Sequence, residues 1–130
     1  MSESVLISRC LLGEPCRYHG RTTTRWGMHL GRPALVTRLS ARYSLIPICP
    51  EVDGGMPTPR PPTQIKRGRW ICDGKNVTKL FRAGTVGALR LARLYKAKRA
   101  YLLKGSPACD PEKGMCACAL RKAALRIIGV

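Results

Sequence analysis

Three cysteines follow three separate apolar runs of the sequence, and this spacing constrains the fold more than any other feature. The runs and their cysteines are 5–9 with Cys10, 45–48 with Cys49, and 100–103 with Cys109. We interpret the runs as parallel strands, whose carboxyl ends share the edge along which open α/β sheets bind ligands. Three thiols converging there would hold a soft metal or a cluster and leave one coordination position open.

The segments between these runs predict a small α/β fold. Helices are expected from Pro33 to about Tyr43, from Asn76 or Thr78 to about Lys96, and from Met115 to about Arg126, with a hairpin over 64–75 that turns at Asp73-Gly74. This alternation favours a short, mostly parallel sheet flanked by helices, with the ligand site at the carboxyl ends of the strands. Pro47 places its strand at an edge of the sheet or the proline at a strand end. Residues 1–130 are expected to form one domain.

The long middle helix is predicted to be amphipathic. One arc at helical spacing is apolar and should pack on the sheet: Leu80, Phe81, Gly84, Ala88, Leu91, Ala92 and Tyr95. The opposite arc is basic and carries Lys79, Arg82, Arg90, Arg93 and Lys96. We interpret the basic arc as a solvated face, with contact to nucleic acid as the alternative.

The charge balance favours an anionic partner. Lys and Arg number 24 against 7 Asp and Glu, which gives a formal charge of +17. Such a surface attracts polyanions and phosphorylated substrates, although a basic surface without an assigned partner is the alternative. No stretch has the length and apolarity of a membrane span, and the N-terminus lacks a signal-peptide pattern, so we expect a soluble cytoplasmic protein with no membrane partner. In that compartment the seven cysteines are expected to be buried, metal-bound or catalytic rather than disulfide-bonded.

Three motifs carry a family resemblance. The runs 8–20, 46–62 and 106–109 contain the three strand-end cysteines, and together they resemble the motifs of the TudS-like thiouracil desulfidases. The resemblance implies a 4Fe–4S cluster held by Cys10, Cys49 and Cys109, with one iron free of protein. It also implies Glu51 and Ser106 as the pair that handles protons. The third motif departs from the family pattern, because Ala108 and Asp110 flank Cys109 where a serine and a glycine are usual.

The implied activity removes sulfur from a thiolated uracil and gives uracil and sulfide without net oxidation or reduction. A thiocarbonyl sulfur is soft and suits an accessible iron, and water would attack the ring carbon with Glu51 as general base. The basic surface favours a nucleotide or thiolated tRNA, such as one containing 4-thiouridine, as the substrate. Arg17, Arg60 and Lys104 lie beside motif cysteines and are predicted to meet a substrate phosphate. The alternative function is a non-catalytic, metal- or cluster-containing RNA-binding module.

The other four cysteines have less defined roles. Cys16 belongs to the first motif and is a fourth ligand, a support for the cluster loop or a buried thiol. Cys72 is predicted to lie in the core. Cys116 and Cys118 are two residues apart on a helix and point in different directions, so we interpret both as small helix residues.

Overall fold

A computed structural model describes residues 2–18, 24–25, 28–29 and 31–130, with the backbone alone described for 24–25 and 28–29. The strands in chain order are β1 (Glu3–Ser8), β2 (Thr24–Arg25), β3 (Met28–His29), β4 (Tyr43–Ile48), β5 (Thr63–Lys66), β6 (Arg69–Cys72), β7 (Lys75–Asn76), β8 (Arg99–Leu102) and β9 (Arg126–Gly129). The helices are α1 (Pro33–Ser40), α2 (Pro50–Asp53), α3 (Thr78–Leu94) and α4 (Met115–Lys122), and a 3-10 helix spans Arg9–Leu12.

The main sheet is parallel throughout and has the strand order β4-β1-β8-β9. The chain therefore runs outward from β1 to β4 and then crosses to the other side of β1 to form β8 and β9. This confirms the predicted α/β fold with a short parallel sheet and flanking helices. Pro47 lies in β4, the edge strand, where the backbone hydrogen bond that proline lacks costs least.

The central strand β1 separates two cores. Val5, Leu6 and Ile7 have no exposed surface. Leu6 belongs to the core under α3 and α4, whereas Ile7 belongs to the core under α1 and the 3-10 helix. Successive side chains of a strand point to opposite faces, so helices cover this sheet on both sides. No helix among the described residues is long and apolar enough to cross a bilayer.

The prediction of where the last helix ends is wrong. Helix α4 ends at Lys122, Ala124 adopts a positive φ of 71°, and the chain continues as β9. The four residues of β9 are too few to show the alternation of apolar and polar residues that marks a strand. They form a strand because they pair with β8. A short apolar run is ambiguous between helix and strand until its partner is known.

The predicted hairpin is a three-stranded antiparallel meander, β5–β6–β7. The expected turn at Asp73-Gly74 is confirmed, and Arg67-Gly68 forms a second one; all four residues have positive φ, as tight two-residue hairpin turns require. The expected helices α1 and α3 are both shorter at their C-terminal ends than predicted. On α3 the basic arc is exposed as expected, but Tyr95 is 47% exposed and lies outside the packed arc.

Candidate active site at the carboxyl edge of the sheet

A cavity of about 300 Å³ opens beyond the carboxyl ends of β1, β4 and β8. Its volume is at the lower end of the range for small-molecule sites, roughly 300–1,000 Å³. It lies where the chain reverses direction across the sheet, between β1 and β8, which is the usual ligand position in open parallel sheets. Four thiols contribute to its lining: Cys10, Cys16, Cys49 and Cys109.

Each strand-end cysteine lies on a short, hydrogen-bonded turn. Cys10 lies in the 3-10 helix directly after β1, and Cys49 is the residue before α2. These two turns are tied together because Arg9 Nη1 donates to Asp53 Oδ1 at 3.0 Å, while Asp53 Oδ2 accepts the Cys49 N–H at 3.1 Å. Cys109 lies in the loop after β8, which Asp110 organises by accepting backbone N–H groups from Gly105, Glu112 and Lys113.

The thiols share hydrogen bonds and are deeply buried. The hydrogen bond between the Cys16 and Cys10 side chains raises the pKa of Cys16 to about 11. The hydrogen bond between the Cys49 and Cys16 side chains, together with burial, raises the pKa of Cys49. Burial raises the pKa of Cys109 to about 12. A cationic centre held by these sulfurs would instead lower the pKa values of the thiols, because metal-bound thiols are deprotonated. The sulfurs therefore form a donor set suited to a soft, positively charged group.

Glu51 is the carboxylate of the cavity. It lies in the first turn of α2, and its side chain is 12% exposed. Arg60 Nη2 lies 3.2 Å from Glu51 Oε1. Burial raises the pKa of Glu51, and the charges of Arg60 and Arg17 oppose that rise. Burial therefore favours the neutral form of Glu51 and the arginines favour its charged form, and such opposed influences are typical of carboxylates that transfer protons.

Ser106 lies within hydrogen-bonding reach of this carboxylate. Its Oγ accepts the backbone N–H of Ala108 at 3.2 Å and of Cys109 at 3.1 Å. A hydroxyl has two acceptor positions and one donor, so the O–H is left to donate. Its acceptors are the Glu51 side chain and the Cys109 sulfur, both within its hydrogen-bonding reach.

The three predicted phosphate contacts occupy different environments. Arg17 lines the cavity beside Tyr18, with its guanidinium carbon 5.9 Å from the ring centre. Arg60 lies behind Glu51 and is not part of the lining, and its side chain is 1% exposed. Its Nη atoms lie against Glu51 and donate to three internal oxygens: Pro57 O, Thr58 Oγ1 and Cys16 O. Lys104 extends away from the cavity over β9, so that a Cβ on Gly129 would come within 2.8 Å of its Cε. The structure therefore brings Arg17 to the cavity, and it does not bring Arg60 or Lys104 there.

Helix α3 fixes the position of the α2 turn, which carries Glu51, through close backbone contact. A Cβ on Gly84 would lie 1.7 Å from the Pro50 carbonyl oxygen, and a Cβ on Gly54 would lie 1.9 Å from the Leu80 carbonyl oxygen. Only glycine permits two backbones to approach this closely. The α2 turn is therefore seated directly on α3.

Sequence reasoning missed three residues that organise the site. Asp53 and Asp110 hold the loops of Cys49 and Cys109, and Ser8 Oγ accepts the Leu103 N–H at 3.0 Å and reaches the Cys109 sulfur. A signal for Asp110 is present in the sequence, since an aspartate followed by Pro-Glu-Lys is typical of a side chain that caps its own turn. Residues 19 and 20 of the first motif lie outside the described part of the chain.

The donor set fits a cluster better than a single ion. Among the described residues, no three His, Cys, Asp or Glu side chains converge on one metal position. In a cluster each ligating thiolate binds a different iron, so the sulfur ligands stand apart from one another. No cysteine in the described part of the chain forms a disulfide, and four cysteines line the cavity.

Comparison with known proteins agrees with this geometry. The chain is 28% identical over 116 residues to YbbK of Bacillus subtilis (strain 168), covering 81% of this chain and 72% of that protein. Its fold is similar to the solved structure of a 4Fe-4S-dependent thiouracil desulfidase, TudS, with a TM-score of 0.84 and 28% identity over 98% of this chain and 91% of the other. The model of the 2-thiouracil desulfurase family matches residues 5–124. With that match over nearly the whole chain and with the cysteine-lined cavity at the sheet edge, the chain belongs to the 2-thiouracil desulfurase family.

Proposed function

We propose that this protein is a 4Fe–4S-dependent desulfidase that converts the thiocarbonyl of a uracil base to a carbonyl. Family membership supplies the reaction class, and the TudS structure supplies the cofactor type. The observation that carries the proposal is the gathering of four buried thiols, Glu51 and Ser106 around one cavity. The proposal treats residues 1–130 as one desulfidase-like domain.

We assign the cluster ligands to Cys10, Cys49 and Cys109. Each follows a different parallel strand, and their turns are held by the Arg9–Asp53 pair and by Ser8 and Ser106. A cluster with one iron free of protein supplies a Lewis acid for the soft thiocarbonyl sulfur. Cys16 lies among these thiols, and its carbonyl accepts from Arg60. That hydrogen bond fixes the backbone of the loop, and the Cys16 thiol stays a candidate for a fourth ligand, a support for the cluster loop or a buried thiol.

Glu51 is proposed as the general base. Its carboxylate removes a proton from the water that attacks the ring carbon, a role that requires the charged form at the start of the reaction. Arg60 supports that form because it is a buried, permanently charged donor within 3.2 Å. We therefore assign Arg60 as a positioning residue rather than a substrate contact. Ser106 donates to the carboxylate or hands a proton to the ring nitrogen.

The proposed reaction balances without an electron donor or acceptor. The thiocarbonyl base and one water give the oxo base and hydrogen sulfide: a C–O bond forms, the C–S bond breaks, and both protons of the water leave with sulfur. The substrate is a thiolated uracil in a nucleotide or in tRNA, with 4-thiouridine as one form. Arg17 at the cavity is the candidate phosphate contact, and Lys104 is a weaker candidate because it extends over β9. The seven cysteines, all of them thiols, support a reducing compartment, for which we propose the cytoplasm.

The test is anaerobic reconstitution with iron and sulfide, followed by analysis of both elements and a substrate panel. The panel contains thiouracil, 4-thiouridine monophosphate and thiolated tRNA, and the readouts are loss of the thiocarbonyl absorption and release of sulfide. We expect a brown protein that releases one sulfide for each base converted. A brown protein that binds RNA and converts no member of the panel would instead indicate the non-catalytic RNA-binding module.

A further inference from the structure

A second site lies outside the cavity, at the tip of the β5–β6 hairpin. Four cations, Arg67, Arg69, Lys79 and Arg82, line an open depression of about 500 Å³ together with neutral residues of β7 and the start of α3. We call these four residues the tip cluster. We propose that the tip cluster binds the phosphate backbone of an RNA strand whose thiolated base enters the cavity. This inference rests on the proposed function and selects a polynucleotide over a mononucleotide as the substrate.

The tip cluster has no acidic partner within the described part of the chain. All four side chains belong to exposed residues, and none forms an ion pair with a described residue. The seven acidic residues lie elsewhere: Glu3, Glu14, Glu51 and Asp53 pair with other arginines, Asp110 holds its own loop, and Asp73 and Glu112 lie on other turns. Four like charges around one depression repel one another, and an anion with several charges would relieve that repulsion.

Hydrogen bonds hold together the two backbone segments that carry the four cations. Arg67 and Gly68 form a tight turn with φ values of 49° and 72°, which orients the hairpin tip. The Trp70 backbone N–H donates to Thr78 Oγ1 at 3.0 Å, and the Val77 N–H donates to the Trp70 carbonyl at 2.8 Å. The hairpin is thereby fixed to the first turn of α3, so cations from both elements face the same depression.

The same hairpin connects the tip cluster to the cavity. Thr63, the first residue of β5, lines the cavity. Gln64 and Ile65 line an open groove that also includes charged and polar residues of the next loop: Ser106, Asp110, Glu112 and Lys113. Arg67 lies four residues beyond Thr63, or about 14 Å at the rise of an antiparallel strand. A stacked strand places phosphates roughly 3.4 Å apart along its axis, so about four nucleotides bridge this distance. The Trp70 indole donates to the Pro107 carbonyl at 2.7 Å, which holds the hairpin against the Ser106 loop.

Helix α3 supplies a matched control for this proposal. Lys79 and Arg82 are separated from Arg90 and Arg93 by eleven residues each, so the two pairs lie on the same helix face about 16 Å apart. All four belong to exposed residues. Replacing either pair with glutamine removes two charges from the same face without disturbing the core.

The first experiment measures binding of a fluorescent 12-nucleotide RNA without thiolated bases, over a series of salt concentrations. We expect Lys79→Gln/Arg82→Gln to weaken binding about tenfold and Arg90→Gln/Arg93→Gln to weaken it less than twofold. The slope of log affinity against log salt should become shallower by about 1.4 for the first variant, at roughly 0.7 for each phosphate that the protein no longer neutralises. Equal losses of affinity in both variants would show a uniformly basic surface and overturn the proposal, as would no loss in either. Vesicles containing phosphatidylserine are tested in parallel, and a loss confined to vesicle binding would assign the cluster to a membrane surface and also overturn it.

The second experiment separates this inference from the proposed function. Release of sulfide is measured with free thiouracil and with a 12-nucleotide RNA that contains one 4-thiouridine. We expect the tip-cluster variant to lose about tenfold in kcat/KM for the RNA and to match the unaltered protein on thiouracil. Equal kcat/KM on the RNA would overturn the tip cluster as a substrate site. Absence of sulfide release from both substrates in the unaltered protein would refute the proposed function, and the RNA-binding result would still decide whether the cluster binds phosphates.

Discussion

Beside the cavity, Arg9 and Arg60 each pair with a carboxylate, whereas the four cations of the tip cluster form no ion pair with any described residue. The difference follows from burial. A charge removed from water needs a partner, because the cost of desolvation exceeds what packing returns. An exposed charge has water and salt around it, and a partner contributes little. Paired charges at the cavity therefore hold loops in place, while unpaired charges at the hairpin tip remain available to an external anion.

Loss of a cluster ligand should have the largest effect at the cavity. We expect Cys49→Ser to reduce the iron content and to lower kcat at least about 100-fold, because an alcohol is a poor ligand for iron. The measurements are iron analysis and sulfide release after anaerobic reconstitution. Cys118→Ser is the matched control, since Cys118 is half-exposed on α4 and lies outside the cavity. Full iron and full activity in Cys49→Ser would remove it from the ligand set.

Loss of the general base should leave the cluster in place. We expect Glu51→Gln to lower kcat by about 10²–10⁴-fold while the visible absorption of the cluster is unchanged. The substitution also leaves the buried Arg60 charge unpaired, which costs up to about 3–5 kcal/mol of unfolding free energy. A melting curve measures that loss, and Glu51→Gln/Arg60→Gln should recover stability without recovering activity. An active double variant would rule out Glu51 as the base.

Two glycines of α3 that differ in their surroundings provide a third test. Gly84→Ala forces a Cβ against the Pro50 carbonyl, so we expect a loss of at least about 1–3 kcal/mol in unfolding free energy and lower activity from the displaced α2 turn. Gly87 lies on the same helix with open space for 4 Å around the position that a Cβ would take, and Gly87→Ala should gain about 0.5–1 kcal/mol. Thermal unfolding followed by circular dichroism compares the two variants. Similar stabilities would mean that α3 and α2 are not in direct backbone contact.

The smallest effect concerns the charged residues near the cavity. We expect Arg17→Gln to raise KM for 4-thiouridine monophosphate about tenfold, as loss of a charge-assisted hydrogen bond predicts, and to leave KM for thiouracil unchanged. Lys104→Gln should change either value less than twofold, because its side chain extends over β9. Steady-state kinetics of both variants with both substrates shows whether Arg17 or Lys104 contacts the phosphate. A larger effect of Lys104→Gln would place the substrate phosphate on the β9 side of the cavity.

Much of the fold follows from local patterns, and the errors lie where pattern is weak. The parallel strands, the edge position of Pro47 and the turn at Asp73-Gly74 are all present as expected. The sequence pattern predicts a helix where β9 begins, because four residues are too few to show a strand period. Tyr95 fits the apolar arc by spacing, yet α3 ends just before it and leaves it exposed.

For the site, adjacency in sequence is a poor guide to which long cations face the cavity. Arg17, Arg60 and Lys104 all lie near motif cysteines in the chain, but of these three Arg17 alone lines the cavity. A long side chain can extend in several directions from its backbone, and the contacts available to it set the direction: Glu51 for Arg60, and Gly129 for Lys104. The roles of the predicted ligands and of Glu51 and Ser106 stay predictions until the variants are measured.

The sequence by itself determined that cysteines end the strands and that the chain is basic, because both are properties of composition and order. Tertiary structure alone decided which charges were neutralised: folding places Arg9 against Asp53 and Arg60 against Glu51, and in both pairs the partner is distant in the sequence or in another segment of the chain. It also decided that the α2 turn rests on α3 through Gly54 and Gly84, since backbone contact between distant segments leaves no periodic signal. The physical reason is common to both cases. Buried charges and close backbone contacts depend on which residues are neighbours in space, and these neighbours are known only once the strands have paired.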